Sequence, residues 1–368
     1  MGCRRILKET VTHDFSNSCG SRRMASIRDV ARQAGVSIAT VSRVVNGVET
    51  VAPKLRRDVL QAVEVCGYKP PEQRRAGNGI ALVYAGPFTI GSPYDSACVE
   101  GIVSAMRESR YDLSVIDVRR DRTDNESMKQ LFQRKGLQGA IVRCTLADRP
   151  LVIEMAEEGL PLVVLGDHFD HPSIAFAYTE SGQASREAIE YLVSLGHQRI
   201  AFVSCHREDG DHADRLRAYR DVLREHGLLD ETLVYRVPPS RRDGGPVLRK
   251  LVGGTDRPTA VYIADPLIAA GAINEAHHMG VRIPDDLSIV GFDDTDLRHM
   301  IYPRMSAVCQ DSEELGRAAF NLVRSLVEGD ASSNSTLQQA WLEVHGSTGP
   351  PPVSVDRVMP SGSRLPVA

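Results

Sequence analysis

Aromatic residues are scarce: one Trp, eight Phe and ten Tyr in 368 residues. No apolar run approaches the roughly 20 residues that a membrane-crossing helix needs, which excludes that class. The seven cysteines are scattered and form no CxxC pair. That pattern fits reduced thiols in a cytosol and argues against a disulfide framework or a zinc site. Enzyme signatures are missing as well. No GxGxxG follows a strand pattern, and there is no P-loop, HExxH or GxSxG. No catalytic residue, metal ligand or cofactor is therefore assigned. Residues 1–23 lack periodicity, and no apolar segment follows Arg4-Arg5, so they do not read as a secretory signal. They are expected to be a disordered extension, with Met24 as the native or an alternative start.

What is present is the composition of a soluble protein of two or three domains, with 42% hydrophobic and 25% charged residues. The net charge of −4 conceals an asymmetry. Residues 24–76 hold nine Lys/Arg against five Asp/Glu, and residues 1–23 hold five against two, so the remainder carries −11. A basic end on an acidic body suits a DNA-binding head on a small-molecule-binding body.

The stretch from Ser26 to Gly47 reads as two short helices and a tight turn. Ser26 is a candidate N-cap, with Asp29 three residues on. Ile27, Val30, Ala31 and Ala34 share one face. Gly35 suits a left-handed stop, and Val36 plugs the turn. Ser37 can cap the second helix, whose Val41, Val44 and Val45 point inward. Ile38, Ala39, Ser42 and Arg43 remain outside. This is the helix-turn-helix pattern, whose second helix enters the major groove. Arg43 has the reach for a bidentate contact to guanine. A helical hairpin that binds nothing would share this periodicity. Pro53–Cys66 adds a third helix, with Pro53 in its first turn.

The sequence words Ile27-Arg-Asp-Val-Ala31, Ala34-Gly-Val-Ser37, Thr40-Val-Ser-Arg-Val-Val-Asn-Gly47 and Gly67-Tyr-Lys-Pro70 carry a specific likeness. On them, residues 25–70 resemble the DNA-binding headpiece of the lactose/galactose repressor (LacI-type) family of bacterial transcription regulators. The resemblance implies that Ile27, Ser37, Ile38, Ala39, Thr40, Ser42, Arg43 and Asn46 meet DNA. In the linker, residues 70–79, it implies a hinge helix whose leucine wedges into the minor groove. Here Gly77 stands in the leucine's place, and Gly77 and Gly79 each disfavour a helix by about 1 kcal/mol. Arg74 and Arg75 are left as phosphate or minor-groove contacts, or as part of a flexible basic tether.

From Ile80, short apolar runs alternate with helix-length segments. The runs are Ile80–Tyr84, Leu113–Val118, Gly139–Val142, Leu162–Leu165, Ile200–Val203, Leu233–Tyr235, Ala260–Ile263 and Leu287–Phe292. Helical patterns include Ser96–Ser109, Glu180–Leu195, Ala213–His226 and Pro266–Met279. The alternation predicts an α/β core of two lobes with doubly wound parallel sheets. Leu195–Phe202, Ile283–Asp294 and Glu314–Ala319 resemble the effector-binding core of the same family, which is similar to periplasmic sugar-binding proteins. The resemblance, over about residues 25–348, implies a head at 24–69 and a core at 80–348. Lobe 1 would hold about 80–177 and 294–330, and lobe 2 about 178–293 and 331–348. Crossings would fall near Ala177–Thr179, Phe292–Asp294 and Glu328–Ser335. Helix Ser312–Val327 would return to lobe 1, and Trp341–Val344 would be a last strand. The Pro/Ser-rich residues 349–368 are expected to be a disordered tail.

Open parallel sheets bind ligands beyond the carboxyl ends of their strands. The resemblance places Arg215 and Asp293 as effector contacts, Asp167 and His168 as a polar pair, and Tyr94 as an aromatic packing on the ligand. Asp265 lies where the family has Asn-Asp, with Ala264 in the asparagine's place. A charged donor and a charged acceptor suit a polyhydroxylated, sugar-like ligand. Blander roles compete: Arg215 could pair with Asp211 or Asp214, and Asp293 and Asp294 could bind crossover backbone. His197 reads as structural. The expected function is a ligand-responsive transcriptional regulator, a repressor by the family's commoner outcome. It would act in the cytoplasm as a homodimer, or a higher oligomer, on a palindromic double-stranded DNA operator. The core alone would permit a sugar-binding receptor of the transport type, and the basic head argues against that.

Overall fold

The computed structural model describes residues 26–45, 51–66, 77–86, 90–206, 209–330, 335–354, 356–358, 361–362 and 364–366. The chain divides into two units, Met1–Arg74 and Arg75–Ala368. The expectations for residues 1–23, Asn46, Arg74, Arg75 and the hinge segment at 70–76 fall outside the described residues.

The head consists of α1 (Ile27–Ala34), α2 (Ile38–Val45) and α3 (Pro53–Cys66). Its short helices are held by their ends and by one small core. The Ser26 N–H donates to Asp29 Oδ2 at 2.9 Å, closing a reciprocal cap on α1. Gly35 stops α1 at φ 65°, where any side chain would be strained. Ser37 Oγ accepts the Thr40 N–H at 3.1 Å and starts α2. Val30 and Ala31 of α1 meet Val41 and Val44 of α2 and Val59 and Ala62 of α3.

The second unit is built on two six-stranded sheets. Lobe 1 begins with β1 (Gly79–Tyr84), α4 (Pro93–Met106), β2 (Asp112–Asp117) and α5 (Val118–Asp121). It continues through α6 (Met128–Lys135), β3 (Leu137–Arg143), α7 (Arg149–Glu157), β4 (Leu162–Leu165) and β5 (Ala175–Glu180). Lobe 2 follows with α8 (Gly182–Ser194), β6 (Ile200–Cys205), α9 (Gly210–Glu225), β7 (Val234–Val237) and α10 (Arg241–Gly253). It goes on to β8 (Ala260–Ile263), α11 (Pro266–Met279), β9 (Ser288–Asp293) and β10 (Ser306–Cys309). Then α12 (Ser312–Glu328) and β11 (Thr336–Gln339) return to lobe 1, and β12 (Trp341–Glu343) goes back to lobe 2. The first sheet runs β11-β5-β4-β3-β1-β2 and is parallel throughout. The second runs β12-β10-β9-β8-β6-β7, with only β12 antiparallel. Helices cover both faces, so β4 and β8 are buried along their whole length, as strands of parallel sheets are.

Several expectations are corrected. The first crossing comes after Glu180, because β5 extends lobe 1's sheet past Ala177. The second lies at Gln310-Asp311 and not at Phe292–Asp294, because β10 pairs with β9 before the chain leaves lobe 2. The third is Ala340, since β11 still pairs with β5 in lobe 1. The tail is not wholly without structure: β13 (Asp356–Val358) and β14 (Arg364–Pro366) form an antiparallel pair. Gly77 has a packing reason for lacking a side chain, since a Cβ there would overlap the Gly136 carbonyl. Helices α4 and α12 meet backbone to backbone in the same way. A Cβ on Gly101 would overlap the Glu313 carbonyl, and one on Gly316 the Cys98 carbonyl.

Candidate functional site

The outer face of α2 is open. Ser37, Ile38, Ala39 and Arg43 are exposed and Thr40 and Ser42 half-buried, while Val41 and Val44 are buried on the opposite side. Ile38 is 46% exposed, a branched apolar side chain left in water beside two small neighbours. Ile27, at the start of α1, is half-buried and packs against the head's core.

The two lobes of the core enclose a cavity of about 110 Å³ that opens to solvent. It lies beyond the carboxyl ends of strands in both sheets. Lobe 1 contributes Tyr94 and Asp95, from the first turn of α4, and Arg143, the last residue of β3. Ser92 starts that helix by accepting the Asp95 N–H at 3.0 Å. Arg143 Nε donates to Asp95 Oδ1 at 3.0 Å, and Nη1 donates to the Leu165 carbonyl at 2.8 Å. The guanidinium sits 4.5 Å from the centre of the Tyr94 ring, within cation–π range.

Lobe 2 contributes Arg215 and Asp211 from α9, Asp265 at the start of α11, and Asp294 just past β9. Arg215 is buried and fixed on all sides. Its Nε donates to Ser181 Oγ at 3.3 Å and Nη1 to the Ala264 carbonyl at 3.2 Å, with Asp211 3.7 Å away. The guanidinium lies 3.4 Å over the Phe292 ring. Asp265 Oδ1 accepts the Ile268 N–H at 2.9 Å and caps α11. Burial pushes the Asp211 carboxyl up to about 7 against the pull of Arg215, and Asp211 Oδ1 has no hydrogen-bond partner among the described residues. Burial likewise pushes Asp294 up to about 6, again opposed by Arg215. Gln310 Nε2 donates to Asp294 at 2.5 Å.

Cys205, Asp209 and His212 line the same wall. Asp209 caps α9, and His212 Nδ1 lies 2.7 Å from Asp209 Oδ1. Burial opposes charge on both groups, and the pairing outweighs it. The His212 charge holds the Asp209 carboxyl below the usual carboxylate range, and Asp209 holds the imidazole well above its ordinary value.

Of the expected effector contacts, the fold brings Tyr94, Arg215 and Asp265 together in this cavity. Asp293 is a correction. Its carboxylate accepts the N–H groups of Thr295, Leu297 and Arg298 and pairs with the Arg298 guanidinium at 2.9 Å. Asp294 takes its place in the cavity wall. Asp167 and His168 sit at the seam between the lobes. Asp167 is held by Arg149 at 2.7 Å and lies where a Cβ on Gly210 would stand. His168 Nε2 is 3.4 Å from Asp214, and its ring meets Tyr178 edge-on. His197 ties Thr259 to the Gly349 carbonyl. Asp95, Arg143, Asp211 and Asp294 were not assigned from sequence. Arg143 had a readable signal, a lone charge closing the apolar run Gly139–Val142.

Among the described residues no helix is long and apolar enough to cross a membrane. Residues 26–71 match the family described as bacterial regulatory proteins, lacI family, and residues 189–348 match a periplasmic binding protein-like domain. Catabolite control protein A of Priestia megaterium is 29% identical over 319 residues, covering 85% of this chain and 96% of that protein. The structure of a complex of the transcriptional regulator CelR with cellobiose superposes with a TM-score of 0.63 at 27% identity, over 88% of this chain and 99% of that one. The lac repressor dimer bound to operator and the anti-inducer ONPF superposes with a TM-score of 0.62 at 26% identity, over 89% and 100%. These relatives are regulators and not enzymes. With a lacI-family match over its three-helix head and a periplasmic binding protein-like match within its two-lobed core, the chain is similar in both parts, and in their order, to the regulators of the lacI family.

Proposed function

We propose that the chain is a ligand-responsive repressor that binds a palindromic DNA operator as a homodimer and a sugar-like effector between its lobes. One observation carries this reading: the open face of α2 and the charged interlobe cavity occur in the same chain. In the head, Ile38, Ala39 and Arg43 read bases, and Ser37, Thr40 and Ser42 border them. Asn46, Arg74 and Arg75 complete the contact from the residues beyond. In the core, Arg215 donates to ligand hydroxyls, Asp265 and Asp294 accept from them, and Tyr94 packs on the ring face. The relatives solved with cellobiose and with operator agree with these two ligand classes. An effector that prefers one lobe arrangement shifts the population of that state, and with it the hold on DNA. The protein works in the cytoplasm, on the nucleoid when DNA-bound.

The test is footprinting on the DNA upstream of its own gene, across a salt series. A protected palindrome whose affinity falls steeply with salt is expected, and no sequence-specific protection at any salt refutes the reading. For the effector, a panel of sugars and nucleosides is screened by thermal shift. A ligand at 100 times its Kd should stabilise the core by about 2.7 kcal/mol.

A further inference from the structure

The lobe-2 wall of the cavity carries a group that a polyol does not need. Cys205 ends β6, His212 stands in the first turn of α9, and Asp265 caps α11. Cys205 Sγ is 3.3 Å from His212 Nε2. A carboxylate oxygen of Asp265, the thiol sulfur and a ring nitrogen of His212 all lie within 4.8 Å of one another. Sulfur and nitrogen ligands sharing one tetrahedral ion, bonded at about 2.3 and 2.0 Å, stand roughly 3.5 Å apart. The observed spacing is close to that.

Three further features suit ligation. First, His212 Nδ1 faces Asp209 Oδ1 at 2.7 Å. A carboxylate behind a histidine orients the ring and leaves Nε2 for the ion. Second, Cys205 and Asp265 are buried, so they are shielded from water that would compete for an ion. Asp265 spends Oδ1 on the cap of α11, which leaves Oδ2 for an ion. Third, the buried Oδ1 of Asp211, in the wall of the same cavity, has no hydrogen-bond partner among the described residues. It is an acceptor for a water or hydroxyl on the ion's open side.

We propose that Cys205, His212 and Asp265 bind a divalent transition-metal ion of the zinc class, with a fourth position open to the effector cavity. Thiolate, imidazole and a single carboxylate select such ions over Mg²⁺ and Ca²⁺, which take oxygen ligands. On binding, the thiol proton and any proton on Nε2 leave to solvent, and thiolate and carboxylate balance the ion's charge. A hydroxylated ligand would then meet both the metal's open position and Arg215. The inference rests on reading this cavity as a ligand site and does not depend on DNA binding, and its test reads the metal directly.

The full-length protein, reduced with a phosphine, is titrated with Co²⁺. Expected are a thiolate-to-cobalt charge-transfer band in the near ultraviolet and visible d–d bands of tetrahedral intensity, saturating at one equivalent. Zn²⁺ should bleach both, and excess Mg²⁺ neither. Cys205→Ser should abolish the charge-transfer band, while Cys66→Ser, in the head, leaves it intact. Asp209→Asn should weaken Co²⁺ binding by about 10- to 100-fold with the band retained. No near-ultraviolet band at millimolar Co²⁺, or a band unchanged in Cys205→Ser, overturns the proposal. If Cys205→Ser fails to fold, unchanged Co²⁺ affinity in both Asp209→Asn and Asp265→Asn overturns it instead.

Discussion

Asp294 is a buried carboxyl whose titration should tie the stability of the core to pH, and Asp294→Asn removes that titration. The carboxyl is buried between Arg215, Gln310 and the neighbouring Asp293 and Asp265, and its pKa is lifted from 3.8 to about 6. Folded protein therefore binds this proton more tightly than unfolded protein does. The resulting stabilisation is complete below pH 3.8 and is lost as the pH rises through about 6. At 1.36 kcal/mol for each factor of ten, the gap corresponds to about 3 kcal/mol. Asparagine keeps the shape and an acceptor for Gln310 Nε2 but cannot ionise. Arg215 loses a nearby charge, so the gain at pH 8 should be about 1–3 kcal/mol, shrinking towards nothing at pH 4. Urea unfolding at both pH values checks this. Trp341, the sole tryptophan, sits on β12 and reports the transition. A gain of equal size at pH 4 and pH 8, or a loss at pH 8, would refute the assignment of a strained buried charge. The variant should also bind effector more weakly, since the neutral amide is a poorer acceptor than a carboxylate.

Three other expectations follow from the geometry. Arg215→Lys gives up the planar fork and the stacking on Phe292; effector affinity by thermal shift should fall about 30- to 160-fold, taking about 2–3 kcal/mol for a charged hydrogen bond, with operator footprints retained. Arg43→Ala should lower discrimination against a mismatched operator by about 1–3 kcal/mol in competition binding, and leave the core's melting unchanged. Gly316→Ala drives a methyl into the Cys98 carbonyl, so the urea midpoint should fall by the equivalent of about 1–3 kcal/mol.

The head was legible because three separate signals agreed there: caps, apolar periodicity and a glycine stop. The central strands were legible because a parallel sheet covered on both faces needs unbroken apolar runs. What escaped notice was short or polar. β11 reads Thr-Leu-Gln-Gln at the sheet edge, and β5 and β10 are interrupted by small and hydroxyl residues. α10 was hidden by Gly244-Gly245-Pro246, which reads as a turn. In the fold a Cβ on Gly244 would overlap the Ile268 carbonyl, so this glycine lets two helices touch. The exchange of Asp293 for Asp294 has a similar cause. Adjacent residues leaving a strand point to opposite sides, and the pattern of a single sequence does not reveal which side is the cleft.

The joints between the lobes are very short: Ser181, then Gln310-Asp311, then Ala340, whose N–H is tied to the Glu180 carbonyl at 3.0 Å. Threads this short cannot let the two sheets glide apart or slide past one another. They leave a swivel, as a door has on its pins. Whatever molecule occupies the cavity can then act on one mechanical variable, the gape of the lobes. Chemically unlike effectors would thus differ in how far they turn the hinge, and not in what kind of movement they produce.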